Sequence, residues 1–155
     1  MQPIFIAMAR IRIEKTFDFE MAHALDDHDG KCKNVHGHSY VLKVCLIGSP
    51  INQTGHPKNG MVMDFGDLKK IVNNLIVDRF DHALVLWESS PYLTPEVRKT
   101  QEKLIVVPYQ PTCENLLSAF AEWLQNAIPE DVSLHSLSLR ETATSMAKWF
   151  AADQQ

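Results

Sequence analysis

At 155 residues, with 45% hydrophobic and 22% charged side chains, the chain has the length and composition of one globular domain with its own core. These values argue against a disordered chain, a coiled coil or a collagen-like repeat, and the formal net charge of −4 argues against nucleic acid as the main partner. Three cysteines, an odd number, do not resemble a disulfide framework and indicate a reducing compartment, which we interpret as the cytoplasm. The apolar run 3–9 is too short to cross a membrane, so we expect a tail at 1–9 and no membrane-spanning segment.

The first predicted element is a β-strand over residues 11–23. Apolar side chains occupy most alternate positions from Ile11 to Met21, which is the period of a strand with one buried face. A polar loop at 26–31 follows. The β-prone run 38–47 then predicts a second strand, antiparallel to the first.

Two amphipathic helices are predicted in the middle of the chain. Asp64 has the position of an N-cap, and apolar residues at helical spacing follow it to about Arg79. Thr112 is placed to cap a second helix, which Pro129 ends.

The remaining segments complete a single domain spanning residues 1–155. We interpret 88–110 as an inserted loop with a short extended piece at 104–107, because three prolines within it and Pro111 directly after it interrupt any regular pattern there. Two strands, 134–141 and 145–150, close the chain before a tail at 151–155. The element order β-β-α-α-β-β predicts an α+β fold with the helices on one face of an antiparallel sheet.

Three histidines carry the strongest chemical signal. His36 and His38 are separated by one residue on an extended backbone, so both imidazoles point to the same face, and His23 can approach from the neighbouring strand. Three neutral imidazoles with an open fourth position are the ligand set of a catalytic zinc site. The isolated histidines are interpreted as structural or solvated: His28, His56 and His135.

Cys32 lies four residues before the first histidine of the His-Gly-His motif. It can serve either as a fourth zinc ligand, which would close a structural site in a non-catalytic protein, or as a reactive thiol beside the metal of an enzyme. Its polar loop with Lys31 and Lys33 favours the thiolate. The other two thiols, Cys45 in a strand and Cys113 at a helix start, are interpreted as buried structural residues.

Acidic residues supply the other candidates. Asp81 and His82 follow the first helix, and they form either an orienting acid and a base for a thiol or simply a helix end. Glu141 lies on the apolar face of a predicted strand, where a carboxylate needs a partner. That partner is either the N–H edge of a pterin or guanine ring, which a carboxylate accepts bidentately, or an internal arginine such as Arg12 or Arg140.

Six short motifs follow one another along the chain: Phe19-Glu-Met-Ala-His23, Cys32-x-x-x-His36-Gly-His38, Gly60-Met-Val-Met-Asp64-Phe65, Asp81-His82, Pro111-Thr112-x-Glu114-Asn115 and Arg140-Glu141-Thr142. In this order they resemble the 6-pyruvoyltetrahydropterin synthase family over nearly all of residues 10–150. The Cys-x-x-x-His spacing most resembles the bacterial branch, whose members form 6-carboxytetrahydropterin for queuosine biosynthesis. The long 88–110 segment departs from the family pattern.

The resemblance implies the tunnelling fold, in which two helices lie on a four-stranded antiparallel sheet. Three subunits close a barrel, two trimers stack into a hexamer, and active sites lie between subunits. It also implies a role for each matching residue. Zinc is held by His23, His36 and His38; Cys32 is the general base with Asp81 and His82 as its relay; and the substrate is bound by Glu141, with Thr112 and Glu114 as further contacts.

The reaction implied by the resemblance converts 7,8-dihydroneopterin triphosphate to 6-carboxytetrahydropterin, acetaldehyde and triphosphate. Two alternatives stay open at this point. One is the sister activity, a 6-pyruvoyltetrahydropterin synthase of the biopterin pathway. The other is a non-catalytic protein in which zinc is structural.

Overall fold

The chain folds into a six-stranded β-sheet with helices packed against it, as shown by a computed structural model that describes residues 9–154. The strands are β1 (Ile11–His23), β2 (His36–Gly48), β3 (Ala83–Trp87), β4 (Leu104–Val107), β5 (Val132–Arg140) and β6 (Met146–Phe150). The helices are α1 (Phe65–Val72), α2 (Asp78–Phe80), α3 (Pro95–Thr100) and α4 (Cys113–Ala127), with a π-helical turn, Asn73–Val77, joining α1 to α2. None of these helices is long and apolar enough to span a bilayer.

The long antiparallel pair β1–β2 confirms the two strands predicted first. It is in register along its whole length, from Ile11 opposite Gly48 to His23 opposite His36. The buried residues alternate, as in Phe17 and Phe19 of β1, so one face of the pair enters the core and the other does not. This register places the histidines of both strands at the same end of the pair.

The sheet order is β4-β3-β1-β2-β5-β6, which corrects the expected four-stranded antiparallel sheet. The four expected strands are present and antiparallel, but β3 pairs parallel to β1, and β4 pairs parallel to β3. The prediction missed β3 because its sequence, Ala-Leu-Val-Leu-Trp, is a short apolar run without alternation that directly follows a helix. The predicted order β-β-α-α-β-β therefore omits one strand beside β1 and one at the edge.

Both predicted amphipathic helices are confirmed with their caps. The Asp64 side chain accepts hydrogen bonds from the backbone N–H groups of Gly66 and Asp67 at the start of α1. Thr112 accepts from the N–H of Asn115 at the start of α4. These caps satisfy helix donors that would otherwise lack partners. The apolar faces of the helices share one core with the inner face of the sheet; its fully buried members include Leu68, Ile76, Phe80, Leu116, Phe120, Leu124, Tyr40, Leu42 and Leu139.

The segment interpreted as an inserted loop contains regular structure. Thr94 caps the short helix α3, with Pro95 in its first turn, and the extended piece expected at 104–107 is confirmed as β4. At the end of the chain, the expected tail is instead a 3-10 turn over Ala151–Gln154. The tail predicted at 1–9 lies outside the described residues except for its last position, as does residue 155.

Candidate metal centre and the adjoining cleft

Three imidazoles meet at one end of the β1–β2 pair, as the sequence predicts. His23 and His36 are direct cross-strand partners, and His38 lies two residues further along β2 on the same face. One nitrogen from each ring lies within 4.8 Å of the others. The ring centroids are 4.6 to 5.3 Å apart, and no aspartate, glutamate or cysteine belongs to this ligand group in the described part of the chain. The three side chains could therefore hold a metal ion.

Backbone carbonyls fix the tautomers of two of these rings. His23 Nδ1 lies 2.7 Å from the carbonyl oxygen of Pro111, and His36 Nδ1 lies 2.7 Å from that of Asn34. Since a carbonyl only accepts hydrogen bonds, each Nδ1 carries a hydrogen, and in the neutral ring the Nε2 then presents a lone pair. Both Nε2 atoms are buried and have no hydrogen-bond partner among residues 9–154. Buried acceptors are normally satisfied, and an imidazole oriented through its other nitrogen is typical of a metal ligand.

Burial also favours the protonation state that binds metals in two of the three imidazoles, those of His23 and His38. Burial, the largest cause in each case, lowers the pKa of His23 and of His38 below the ordinary histidine value. The neighbouring Glu141 opposes this change without reversing it. Neutral imidazole is the ligand form, so the geometry, the tautomers and the pKa shifts all fit a metal ion.

A carboxylate lies beside the histidine cluster. Glu141 Oε1 is 3.6 Å from His23 Nε2 and 3.7 Å from His38 Nε2. The same oxygen accepts a hydrogen bond of 3.0 Å from the hydroxyl of Tyr40. Of the alternatives left open by the sequence, an ion pair with Arg12 or Arg140 is not formed within the described range. The carboxylate is 23% exposed, which leaves it accessible from solvent.

Sequence reasoning did not identify Tyr40 as part of this site. The ring is completely buried, and burial followed by the charge of Glu141 raises its pKa. A usable signal was present, because Tyr40 follows His38 at the two-residue period of the strand and so shares its face.

Cys32 lies in a cleft of about 390 Å³ that it shares with three other predicted site residues. These are Thr112, Glu114 and Glu141, which come from the start of α4 and the end of β5. His28, set aside by the sequence analysis, also lines the cleft. Cys32 is partly exposed and is not a member of the ligand group, which favours a reactive thiol over a fourth metal ligand.

The other two cysteines agree with their structural interpretation. Cys45 and Cys113 are buried, with 8% of each side chain exposed, and burial raises the pKa of Cys113 to about 11. Cys113 adjoins the same cleft but donates its hydrogen to the carbonyl of Leu139. A thiol with a raised pKa is a poor base at neutral pH.

Asp81 and His82 form a hydrogen-bonded pair away from Cys32. Asp81 accepts from the N–H of Glu20 at 2.9 Å through Oδ1, and its Oδ2 lies 3.0 Å from His82 Nδ1. The Glu20 contact is the largest cause that lowers the pKa of Asp81, and His82 adds to it. His82 has a positive φ of 60°, which is uncommon for a residue other than glycine.

Within one chain, this acid–histidine pair does not reach the thiol. His82 lines a second cleft of about 370 Å³ together with Glu20, Gly37 and Ser39, whereas Cys32 lines the cleft described above. A relay from Asp81 through His82 to Cys32 is therefore not assembled by the hydrogen bonds and ion pairs of the described residues.

Comparisons with known proteins agree over most of the chain. The family model described as 6-pyruvoyl tetrahydropterin synthase matches residues 12–151. A Haemophilus influenzae protein named 6-carboxy-5,6,7,8-tetrahydropterin synthase is 38% identical over 143 residues, which cover 89% of this chain and 97% of that relative. An Aquifex aeolicus protein of the same name is 30% identical over 162 residues and covers 88% and 96% of the two chains.

Solved structures share the fold. The Caenorhabditis elegans 6-pyruvoyl tetrahydropterin synthase matches with a TM-score of 0.64 at 26% identity, covering 93% of this chain and 97% of the other. An uncharacterized protein from Wolinella succinogenes matches with a TM-score of 0.74 at 21% identity, covering 92% and 99%, and this likeness concerns the fold alone.

Proposed function

The chain belongs to the 6-pyruvoyl tetrahydropterin synthase family, and on this basis we propose that it is a zinc-dependent 6-carboxy-5,6,7,8-tetrahydropterin synthase. The proposed reaction is a carbon–carbon lyase step. It converts 7,8-dihydroneopterin triphosphate and water to 6-carboxytetrahydropterin, acetaldehyde and triphosphate, for queuosine biosynthesis. The observation that carries this proposal is that Cys32 and Glu141 line one cleft, while Glu141 also lies within 3.7 Å of two histidines of the cluster.

The proposed zinc ligands are His23, His36 and His38, which leave a fourth coordination position for substrate. When bound, zinc would supply Lewis acidity toward the hydroxyl and carbonyl oxygens of the pterin side chain. The chain itself supplies three imidazoles and the backbone carbonyls that orient two of them. The absence of sulfur from the ligand group in residues 9–154 argues against a closed structural site.

We assign the recognition of the pterin ring to Glu141. A carboxylate accepts two hydrogen bonds from the N–H and amino groups of an aminopyrimidine edge, and this pairing is strong because the acceptor is charged. The hydroxyl of Tyr40 donates a hydrogen bond to Oε1 of Glu141, and this bond limits the rotation of the carboxylate. Thr112 and Glu114, at the start of α4, line the same cleft and are the proposed additional substrate contacts.

We assign proton transfer to Cys32, whose sulfur would accept a proton from the substrate side chain as general base. Asp81 would hold His82, and His82 would receive or return that proton at the thiol. Since the pair and the thiol lie in different clefts of one chain, the proposal includes a homo-oligomer, a trimer or a dimer of trimers, with active sites between subunits. Three free thiols fit a reducing compartment, so we propose the cytoplasm as its location.

Product analysis tests this proposal. The zinc-loaded protein is incubated with 7,8-dihydroneopterin triphosphate, and the products are identified by mass; we expect 6-carboxytetrahydropterin and acetaldehyde. A pyruvoyl product would assign the sister activity instead, and an unconsumed substrate would overturn the enzymatic assignment. Cys32→Ala should abolish turnover, whereas Cys45→Ala, a matched change at a buried thiol outside the cleft, should retain it.

A further inference from the structure

The loop that carries Cys32 is held from outside by the segment between β3 and α4. This loop, residues 24–35, connects β1 to β2 and contains a 3-10 turn at Lys31–Lys33. Its two arms are joined to each other by one backbone hydrogen bond of 2.9 Å, from the N–H of Leu25 to the carbonyl of Cys32, and its other internal hydrogen bonds are local turns such as that from the N–H of Asn34 to the carbonyl of Lys31. A single bond of this kind does not fix a loop of this length, so the external contacts matter for the position of the thiol.

The first half of the loop is held at Asp26. The hydroxyl of Ser90 donates to Asp26 Oδ1 at 2.9 Å, and these two residues are only 6% and 8% exposed. The side chain of Gln110 binds the backbone of the same residue: its Nε2 donates to the Asp26 carbonyl at 2.6 Å, and its Oε1 accepts from the N–H at 3.1 Å. A buried carboxylate is costly without hydrogen bonds, so the Ser90 contact has a clear stabilising role.

The second half of the loop is held by Tyr92. Its hydroxyl donates to the carbonyl of Lys33 at 2.9 Å, one residue after Cys32. The N–H of Tyr92 donates to the hydroxyl of Ser90 at 3.3 Å, so the two side chains form one connected network. Through Asp26 and Lys33 the network reaches both arms of the loop, and the thiol lies between the two attachment points.

We propose that Ser90, Tyr92 and Gln110, here called the brace, are positioning residues that set where Cys32 stands in its cleft. None of the three lines that cleft, so they act through the loop and do not touch the substrate. The consequence for turnover rests on the proposed function, in which Cys32 is the general base. A general base must lie within hydrogen-bond reach of the proton that it removes, and a misplacement of about 1 Å can cost on the order of 100-fold in rate.

The brace lies in the segment 88–110, in which the sequence departs from the family pattern. In the structure this segment contacts the Cys32 loop, which its sequence alone does not predict. Ser90 and Tyr92 sit before α3, and Gln110 sits just before α4, so both ends of the segment contact the Cys32 loop. The segment that departs from the family pattern therefore helps to position Cys32, a proposed active-site residue.

A double variant of the zinc-loaded full chain tests the brace. Ser90→Ala/Tyr92→Phe removes only two hydroxyl groups, and Tyr92→Phe alone is the milder variant should the double variant fold poorly. The matched control is Ser133→Ala/Tyr109→Phe, since Ser133 is exposed on β5 and the Tyr109 hydroxyl has no hydrogen-bond partner within residues 9–154. Three quantities are measured: the alkylation rate of Cys32 by iodoacetamide, located by peptide mass, and the separate values of kcat and KM.

We expect alkylation of Cys32 in the brace variant to be several-fold faster than in the control, because the loop opens more often. We expect kcat to fall about tenfold or more, with KM within about twofold, because the cleft is intact and only the base is displaced. Equal alkylation rates in brace variant, control and wild type would overturn the proposal. A wild-type chain without turnover would refute the proposed function, and the alkylation rates would still decide the role of the brace.

Discussion

The hydroxyl of Tyr40 donates a 3.0 Å hydrogen bond to Oε1 of Glu141, and the ring that carries it is completely buried beside the histidine cluster. The ring packs edge-on against His23 and His38, with centroids 6.2 and 5.7 Å away. It also stacks on Phe19 at 5.3 Å, which fixes its plane from the core side. One rigid side chain thus holds the carboxylate of the cleft and supports two of the candidate metal ligands.

Removing this hydroxyl should weaken pterin binding more than it changes metal content. Tyr40→Phe deletes the donor to Glu141 and retains the ring, so the carboxylate gains freedom while the imidazoles keep their packing. A hydrogen bond to a charged group is worth about 1.5–3 kcal/mol, so we expect KM, or the dissociation constant of a bound pterin, to rise about tenfold or more.

Calorimetric titration with a pterin and metal analysis of the same sample check this expectation. Tyr109→Phe is the matched control, since its hydroxyl is buried without a hydrogen-bond partner in the described chain. Unchanged pterin affinity in Tyr40→Phe would show that Glu141 does not depend on this donor.

Removing the metal should silence the enzyme without unfolding it. The core contains Phe17, Leu42 and Phe120, which are buried independently of the histidine cluster. A ligand that binds only the folded state adds stability by mass action, so a chelator should lower Tm while the far-UV circular dichroism stays folded. Loss of secondary structure on chelation would instead indicate a structural metal site. His36→Ala should likewise bind little zinc, and His135→Ala, outside the cluster, should bind it fully.

Lowering the pH should destabilise the metal-free chain. Burial lowers the pKa of His23 and of His38 from the ordinary 6.5, so below about pH 6.5 the unfolded chain binds protons that the folded chain does not. The free energy of unfolding should therefore decrease as the pH falls below that value, and level off once these histidines are protonated in the folded chain too. Their contribution is fully present above about pH 6.5.

Urea midpoints of the metal-free protein, measured from about pH 7.5 to about pH 5.5, test this direction. The double variant His23→Gln/His38→Gln should lose less stability over this range than the wild type. His135→Gln, a matched change on β5, should behave as the wild type does. Equal slopes in the wild type and the double variant would show that other groups control the acid response.

Local patterns in the sequence sufficed to predict the cluster of three histidines that could hold a metal ion. The two-residue period puts His36 and His38 on one face, and the alternation of β1 fixes which residues of that strand face them. The same pattern should have pointed to Tyr40. By contrast, β3 is a continuous apolar run without alternation of apolar and polar residues. The sequence therefore did not predict it, and the sheet was expected to have four strands.

Long-range contacts set the rest of the site, and no local pattern encodes them. Glu141 meets the cluster only because β5 pairs with β2, and Ser90 meets Asp26 only once the sheet has formed. His28 illustrates the same limit: alone in a polar loop it has no distinguishing pattern, yet the fold of the loop brings it to the cleft of Cys32. Sequence reasoning identifies the chemical groups, whereas the tertiary fold decides their partners.

Mixing two inactive variants should restore activity if the site spans two subunits. Cys32→Ala subunits retain His82, and His82→Ala subunits retain Cys32. In a randomly mixed ring, about a quarter of the interfaces would join an intact thiol from one subunit to an intact acid–histidine pair from the next. Each variant alone offers no complete interface.

The two variants are unfolded and refolded together, with each variant refolded alone as the control, and the rate is measured per subunit at a saturating concentration of 7,8-dihydroneopterin triphosphate. We expect the mixture to recover up to about a quarter of the wild-type rate. Since Cys32 and His82 line separate clefts of one chain, a site within a single subunit would require a rearrangement that brings them together, and it would show no recovery on mixing. A mixture no more active than its components would therefore reject the shared site, and with it the relay from Asp81.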